Sequence, residues 1–316
     1  MIKNRRAFIV GIKSTTLSKK EKKFLFKYKP WGVILFSRNL EKFKQIKKLT
    51  SDIRLIFKDK KYPILIDQEG GRVSRLSNLI ESSLFTSEYF GKLYKYNKNK
   101  FANYYKVYID QVAYLLNEIG ININTVPVLD LKKYKSSDII GDRSYSSLPK
   151  NVSIIGDFCI EWFKKNRIGT VIKHIPGHGS TKIDSHKKTP IVQFKYKHLL
   201  KNDFSTFKNK KSFFAMTAHV IYKNIDSKNT ATHSSKIMKL IRKKIGFKNL
   251  IISDDISMKA LEGNIKTNTL RAIAAGCNLI LHCNANYAEM TTVAENTPLI
   301  DAFIIKKTSQ FYNFLS

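Results

Sequence analysis

The chain is poor in the residues that staple or anchor a fold. Only three cysteines (Cys159, Cys277 and Cys283) occur in 316 residues, an odd number without the paired spacing of a zinc site or a disulfide scaffold. That usage points to a reducing compartment, and the cytoplasm is the expected location. No apolar run approaches the roughly 20 residues of a membrane-spanning helix. The N-terminus starts basic, but its apolar part is confined to Ala7–Ile12 and polar residues follow at once, too short a stretch for a secretory signal. No linker, repeat or low-complexity segment divides the chain, so one domain over residues 1–316 is expected.

Acid is the other scarcity. Asp and Glu number 24 against 57 Lys and Arg, a net charge of +33. An excess of this size suits a nucleic-acid or membrane-surface binder, or it records a compositional bias toward Lys, Ile and Asn. The lysines lie in short scattered clusters, Lys19–Lys23, Lys58–Lys61, Lys208–Lys211 and Arg242–Lys244. No basic tail and no RNA-binding aromatic signature accompanies them. Solvated lysine on helices and connections accounts for the pattern, so no nucleic-acid or membrane partner is expected.

Hydrophobic residues at 43% and charged residues at 26% give a globular balance. Eight short apolar runs recur: Ala7–Ile12, Gly32–Phe36, Tyr62–Asp67, Ile121–Asp130, Ile168–His174, Phe213–His219, Asn249–Asp254 and Asn278–Cys283. Most are rich in Ile and Val without strict alternation, as strands buried on both faces are. Helical patterns separate them. Leu17–Tyr28 carries the Ser18–Glu21 spacing of a capping box. Phe101–Ile119 places Tyr105, Tyr108, Val112 and Leu115 on one stripe, and Ser234–Ile245 and Thr267–Ala275 are similar. Eight strand–helix units in this length predict a (β/α)8 TIM barrel of class α/β. A doubly wound sheet is the alternative, but no G-x-G-x-x-G follows a strand to support it.

Function in such a barrel collects where the strands end. The third run leads into I-D-Q-E-G-G-R-V-S-R, with Asp67, Glu69, Arg72 and Arg75, and the connection after the fourth brings Asp142 and Arg143. The fifth ends in Lys173-His174, the sixth at His219, and the seventh at Asp254 and Asp255. Carboxylates and cations meeting on one rim imply a pocket for a polar ligand. After the fifth strand runs K-H-I-P-G-H-G-S-T-K-I-D-S-H (Lys173–His186). Pro176, Gly177 and Gly179 exclude a regular helix there, so its titratable groups sit on a loop, where chemistry is commonly placed. His174, His178, Asp184 and His186 match zinc ligands by type. Their H-x-x-x-H spacing works on a helix, however, and no metal is expected.

These stretches resemble the family 3 glycoside hydrolases, specifically the single-domain bacterial β-N-acetylglucosaminidases of peptidoglycan recycling. The resemblance covers nearly the whole chain, through P-W-G-V-I-L-F-S-R-N (Pro30–Asn39), D-Q-E-G-G-R-V (Asp67–Val73), G-D-R-S-Y (Gly141–Tyr145), K-H-I-P-G-H-G with D-S-H, S-D-D-I-S-M (Ser253–Met258) and A-A-G-C-N-L-I-L-H-C-N (Ala274–Asn284). The D-S-H portion is the most specific, because it separates this branch from other family 3 enzymes. The resemblance implies a retaining glycosidase with Asp254 as nucleophile, His186 as acid/base and Asp184 as the partner of His186. It implies that Asp67, Arg75, Arg143, Lys173 and His174 hold the N-acetylglucosamine ring, and that no cofactor is needed. A His with an ordinary pKa near ~6.5 can donate and accept a proton at neutral pH. For Arg75 and Arg143 the structural alternative is an ion pair with Glu69 or Asp142. Arg72 and Glu69 are expected to brace the rim and His178 to shape the loop. His219 either lines the pocket or satisfies a backbone carbonyl. Asp255 is expected to support the site or a helix N-terminus.

The chain departs from the family pattern at Asn278, where Asp is usual, and at Trp31, where a small residue is usual. The first is expected to weaken a helix or rim contact. A last helix over Leu299–Phe311 is followed by few residues, so the second domain of larger family 3 enzymes is not expected. The pocket is then built from the barrel and its loops, and a monomer acting on a small carbohydrate or muropeptide is expected. Two rival functions stand beside hydrolysis: a β-N-acetylglucosaminide phosphorylase on the same scaffold, and a non-catalytic basic nucleic-acid-binding protein.

Overall fold

A computed structural model of the protein describes residues 2–132, 140–181 and 188–316. Strands β1 (Arg6–Gly11), β2 (Pro30–Leu35), β3 (Ile64–Ile66), β4 (Ile123–Asn124) and β5 (Gly169–Ile175) are followed by β6 (Ile191–Val192), β7 (Phe214–Thr217), β8 (Ile221–Tyr222), β9 (Leu250–Asp255) and β10 (Leu279–His282). Eight of them close into a barrel in the order β1-β2-β3-β4-β5-β7-β9-β10, while β6 and β8 pair as a small separate sheet. Every barrel pairing is parallel, so all strands end on one rim. Each of the eight expected apolar runs overlaps one barrel strand, with β1 and β2 starting one or two residues earlier and β5 and β9 ending one residue later. The fourth is regular only at Ile123–Asn124. Beyond it the chain follows β5 irregularly, through a Val128–Lys173 bridge and a Leu129 N–H bond to the Lys173 carbonyl.

The helices are α1 (Lys19–Tyr28), α2 (Phe43–Phe57), α3 (Ser87–Tyr96), α4 (Lys98–Glu118), α5 (Pro149–Lys165), α6 (Tyr196–Lys201), α7 (Ser235–Leu240), α8 (Ile265–Ala275), α9 (Tyr287–Asn296) and α10 (Ala302–Phe314). The expected capping box forms: the Ser18 hydroxyl accepts from the Glu21 N–H, and the Glu21 carboxylate accepts from the Ser18 N–H. In α4 the buried stripe runs through Phe101, Tyr105, Tyr108, Val112 and Leu116, not Leu115. Adjacent helical positions differ by only ~100°, and packing against the barrel chooses between two neighbouring leucines. No helix among the described residues is long and apolar enough to cross a membrane.

Two apolar layers hold the fold. One lies between strands and helices. The other fills the barrel with Ile9, Ile34, Leu65, Val171, Met216, Ile252 and Leu281. Helix α10 closes the end where the strands begin. Its Phe311 packs edge-on to Phe214, and its Thr308 hydroxyl accepts a bond from the Trp31 indole at 2.9 Å. Trp31, fully buried, thus fills the barrel floor far from the rim. The Asn278 side-chain carbonyl accepts from the Ile251 N–H at 2.9 Å and from Arg242 at 2.8 Å. Both bonds are kept, with a neutral amide on the Arg242 guanidinium where an Asp would make a charge-assisted pair.

Candidate active site

A cavity of about 170 Å³ opens at the C-terminal ends of the strands, lined by Asp67, Glu69, Arg75, Arg143, Lys173, His174, His178, Asp254 and Cys283 among others. The polar residues form three interlocked groups.

The first is centred on Lys173, which leaves β5 with its side chain 3% exposed. Its ammonium contacts Asp67 at 3.0 Å, Thr125 at 2.9 Å and Glu69 at 2.6 Å. An ammonium has three protons, and each has an acceptor here. Thr125 in turn donates its hydroxyl to Asp67. Arg143 grips Glu69 in a two-bond fork, at 2.7 and 2.8 Å. Burial alone would raise the carboxyls of Asp67 and Glu69. For Asp67 the neighbouring Lys173 and Arg75, and for Glu69 the neighbouring Arg143 and Lys173, reverse that effect and hold both groups below the usual range. Burial likewise works against the charge on Lys173, and Asp67 and Glu69 outweigh it. Arg75 is held more loosely, 3.8 Å from Asp67, and its buried Nε has no hydrogen-bond partner. Its backbone is fixed instead: the Gln68 side-chain carbonyl accepts from the Arg75 and Leu76 N–H groups. Asn124 in β4 anchors Gln68 by bonding both its N–H and its carbonyl.

The second group is centred on Asp130, fully buried at the end of the fourth apolar run. It accepts from His174 Nδ1 at 2.6 Å and from the His178 backbone N–H at 2.5 Å. Burial would raise its carboxyl, but His174 and His178 hold it below the usual range. His178 is itself pushed down to about 4, chiefly by burial and then by His174. The loop here needs its glycines. A side chain at Gly179 would meet the Leu131 carbonyl at 2.1 Å, and Gly177 has φ 136°.

The third group ends β9. Asp254 borders the cavity and accepts the Asp255 N–H at 2.8 Å. Burial would raise its carboxyl, and His219, His174, the Asp255 N–H and Lys173 together lower it. Asp255 turns away and accepts from the Ser257 and Cys283 N–H groups. His219 is fully buried, and its Nε2 lies 3.0 Å from the Asp255 carbonyl. It therefore satisfies a carbonyl and does not line the pocket.

Asp67, Arg75, Arg143, Lys173, His174 and Asp254 thus meet around one cavity. Asp184 and His186 lie outside the described residues. Arg143 makes the ion pair with Glu69, while Arg72 pairs with Asp142 at 2.8 Å. Glu69 is a buried partner of Lys173, more central than a rim brace. Sequence reasoning missed Asp130, Thr125, Gln68 and Asn124. One signal existed for Asp130, a carboxylate closing an apolar run. Asn124 and Thr125 likewise interrupt that run with polar groups. Among the described residues no group of three or more His, Cys, Asp or Glu is placed to hold a metal.

A parallel eight-stranded barrel with such a rim defines a barrel enzyme built around a small polar ligand. The chain belongs to glycosyl hydrolase family 3, whose N-terminal domain it matches over residues 7–309, and it is a glycoside hydrolase. It is 31% identical to the β-hexosaminidase of Hydrogenovibrio crunogenus over 325 residues, covering 96% of this chain and 89% of that protein. Its fold is similar to native NagZ from Neisseria gonorrhoeae, with a TM-score of 0.85, 26% identity, and coverage of 99% of this chain and 90% of that one. It is also similar to a family 3 β-N-acetylglucosaminidase from Paenibacillus sp. str. FPU-7, with a TM-score of 0.86 and 25% identity. The match covers 98% of this chain and 60% of that longer one.

Proposed function

We propose that the protein is a retaining exo-β-N-acetylglucosaminidase that releases terminal non-reducing N-acetylglucosamine from peptidoglycan-derived muropeptides, in the cytoplasm, as a monomer and without a cofactor. The carrying observation is Asp254 at the rim cavity of about 170 Å³, its carboxyl held below the usual range by His219, His174, the Asp255 N–H and Lys173. The similarity to a β-hexosaminidase and to a β-N-acetylglucosaminidase supports the sugar, and the cysteine usage supports the compartment.

In this reading Asp254 attacks the anomeric carbon while His186, oriented by Asp184, protonates the glycosidic oxygen. The C–O bond to the leaving group breaks as the bond to the Asp254 carboxylate forms. His186 then takes a proton from water, which attacks the same carbon and frees Asp254, with net retention. Asp67 and Arg75 offer charge-assisted bonds to the ring hydroxyls, and His174 offers its Nε2. Lys173, bonded to Asp67 and Glu69, and Arg143, bonded to Glu69, keep those carboxylates below the usual range beside the sugar. The test is hydrolysis of an aryl β-N-acetylglucosaminide by wild type, Asp254→Ala and His186→Ala. Asp254→Ala is expected to be inactive, and His186→Ala to lose more activity with poor leaving groups than with good ones. Full activity in Asp254→Ala overturns the mechanism.

A further inference from the structure

Beneath Asp254 lies a set of buried hydroxyls and one imidazole that touch neither the cavity nor the sugar-facing groups. Thr217 ends β7, His219 follows two residues later, and Thr232 sits in a single helical turn over Ala231–His233. All three are 0% exposed. His219 Nε2 lies 3.0 Å from the Asp255 carbonyl, His219 Nδ1 2.7 Å from Thr232 Oγ1, Thr232 Oγ1 2.8 Å from Thr217 Oγ1, and Thr217 Oγ1 3.3 Å from the Asp254 nitrogen.

Chemistry orders every proton in this chain. A carbonyl only accepts, so His219 Nε2 carries the proton. Burial lowers His219 from its ordinary value despite Asp254 nearby, which favours the neutral ring, and with its proton on Nε2 the Nδ1 is a bare acceptor. Thr232 must donate to it. Having spent its single proton, Thr232 receives the Thr217 hydroxyl. Thr217 in turn receives the Asp254 N–H. Both ends of the Asp254–Asp255 segment are thus tied into one directional loop: Asp254 N–H to Thr217, Thr217 to Thr232, Thr232 to His219, and His219 back to the Asp255 carbonyl.

We infer that Thr217, Thr232 and His219 are positioning residues that clamp the Asp254–Asp255 backbone and so aim the Asp254 carboxylate at the sugar. The inference rests on the reading of Asp254 as nucleophile. A buried loop of this kind has a structural consequence that a loose contact lacks. Each hydroxyl has one proton, so removing any one member costs each of its two neighbours a bond and opens the loop. The carboxylate then gains freedom just where attack needs an aligned reactant.

The experiment compares Thr232→Val, which keeps the shape and removes the hydroxyl, with Thr232→Ser, which keeps the hydroxyl. Thr217→Val breaks the loop at a second link, and far-ultraviolet circular dichroism reports whether each variant folds. With an aryl β-N-acetylglucosaminide, both Val variants are expected to lose roughly a hundredfold in kcat with KM near wild type, the scale of a small misplacement of a reacting group. The loss should be as large with a dinitrophenyl leaving group, since attack and not leaving-group protonation is impaired. Thr232→Ser should recover most of the rate. Asp254→Ala is measured in parallel. If Asp254→Ala is inactive and the folded Val variants keep wild-type kcat, the clamp is overturned and the nucleophile stands. Loss in Thr232→Ser equal to that in Thr232→Val also overturns it. Full activity in Asp254→Ala overturns both.

Discussion

Asp130 holds the imidazole of His174 at 2.6 Å and, through its other oxygen, the backbone N–H of His178. One buried carboxylate therefore sets both the ring that faces the cavity and the start of the loop that leads toward Asp184 and His186. Asp130→Asn is expected to disturb both. Its amide would offer Nδ1 a donor in place of an acceptor and favour the opposite tautomer of His174. We expect kcat/KM to fall about tenfold to a hundredfold. Because a neutral amide replaces an ionised acceptor, we also expect a stability loss of about 1–3 kcal/mol, read by urea denaturation.

Lys173 balances two carboxylates in a largely buried site. Lys173→Met leaves Asp67 and Glu69 facing each other without their shared cation, and breaking a buried pair in this way costs roughly 3–5 kcal/mol. Adding Asp67→Asn should return part of that loss, because Glu69 keeps Arg143 whereas Asp67 is left with the longer 3.8 Å contact to Arg75. A double variant no more stable than Lys173→Met in chemical denaturation would count against the electrostatic account.

Two buried histidines predict the acid side of the stability curve. His178 is pushed down to about 4 and His233 to about 3, in both cases chiefly by burial. Each is neutral in the folded protein and takes a proton on unfolding once pH drops below the ordinary value of ~6.5. The unfolded chain then binds more protons, so stability falls as pH is lowered from about 6.5 toward those folded values. His233→Gln, far from the cavity lining, should make the melting temperature less dependent on pH between 7 and 5. An unchanged slope would argue against it.

Trp31 tests the barrel floor. Replacing it with Ala opens a void beneath Phe214 and removes the bond to Thr308, at an expected cost of about 3–5 kcal/mol. The rim is at the other end of the strands. The fraction that remains folded at low temperature should keep wild-type kcat.

Cys283 borders the cavity, whereas Cys159 and Cys277 are buried away from it. Burial, with Asp255, Asp67 and Asp254 adding to it, pushes the Cys283 thiol well above its ordinary value. Alkylation by iodoacetamide should therefore be slow at neutral pH, confined to Cys283, and faster as pH rises. N-acetylglucosamine should slow it further. Mass spectrometry of the labelled peptide separates this from labelling at the other two thiols.

How much of this could be read along the chain depended on the range of the forces involved. The barrel strands were legible because strands buried on both faces need unbroken Ile and Val, a local signature. The capping box at Ser18 and Glu21 was legible because its partners are three residues apart. The meeting of Asp67, Lys173 and Asp254 at one rim followed from the rule that parallel strands end together. Asp130 escaped notice because its role exists only where the backbone of the loop after β5 folds over it. Thr217 and Thr232 escaped because the bond between them spans 15 residues and joins two ordinary threonines.

The sequence by itself determined the barrel, the rim and which titratable groups reach it, since periodicity and strand order follow from local burial patterns. Only the tertiary structure decided the state of those groups. It saturated Lys173, locked Arg143 onto Glu69, turned His219 toward a carbonyl and chose Leu116 over Leu115. Charge state and proton direction depend on distances of a few ångströms between residues far apart in the chain, and those distances exist only once the barrel has closed.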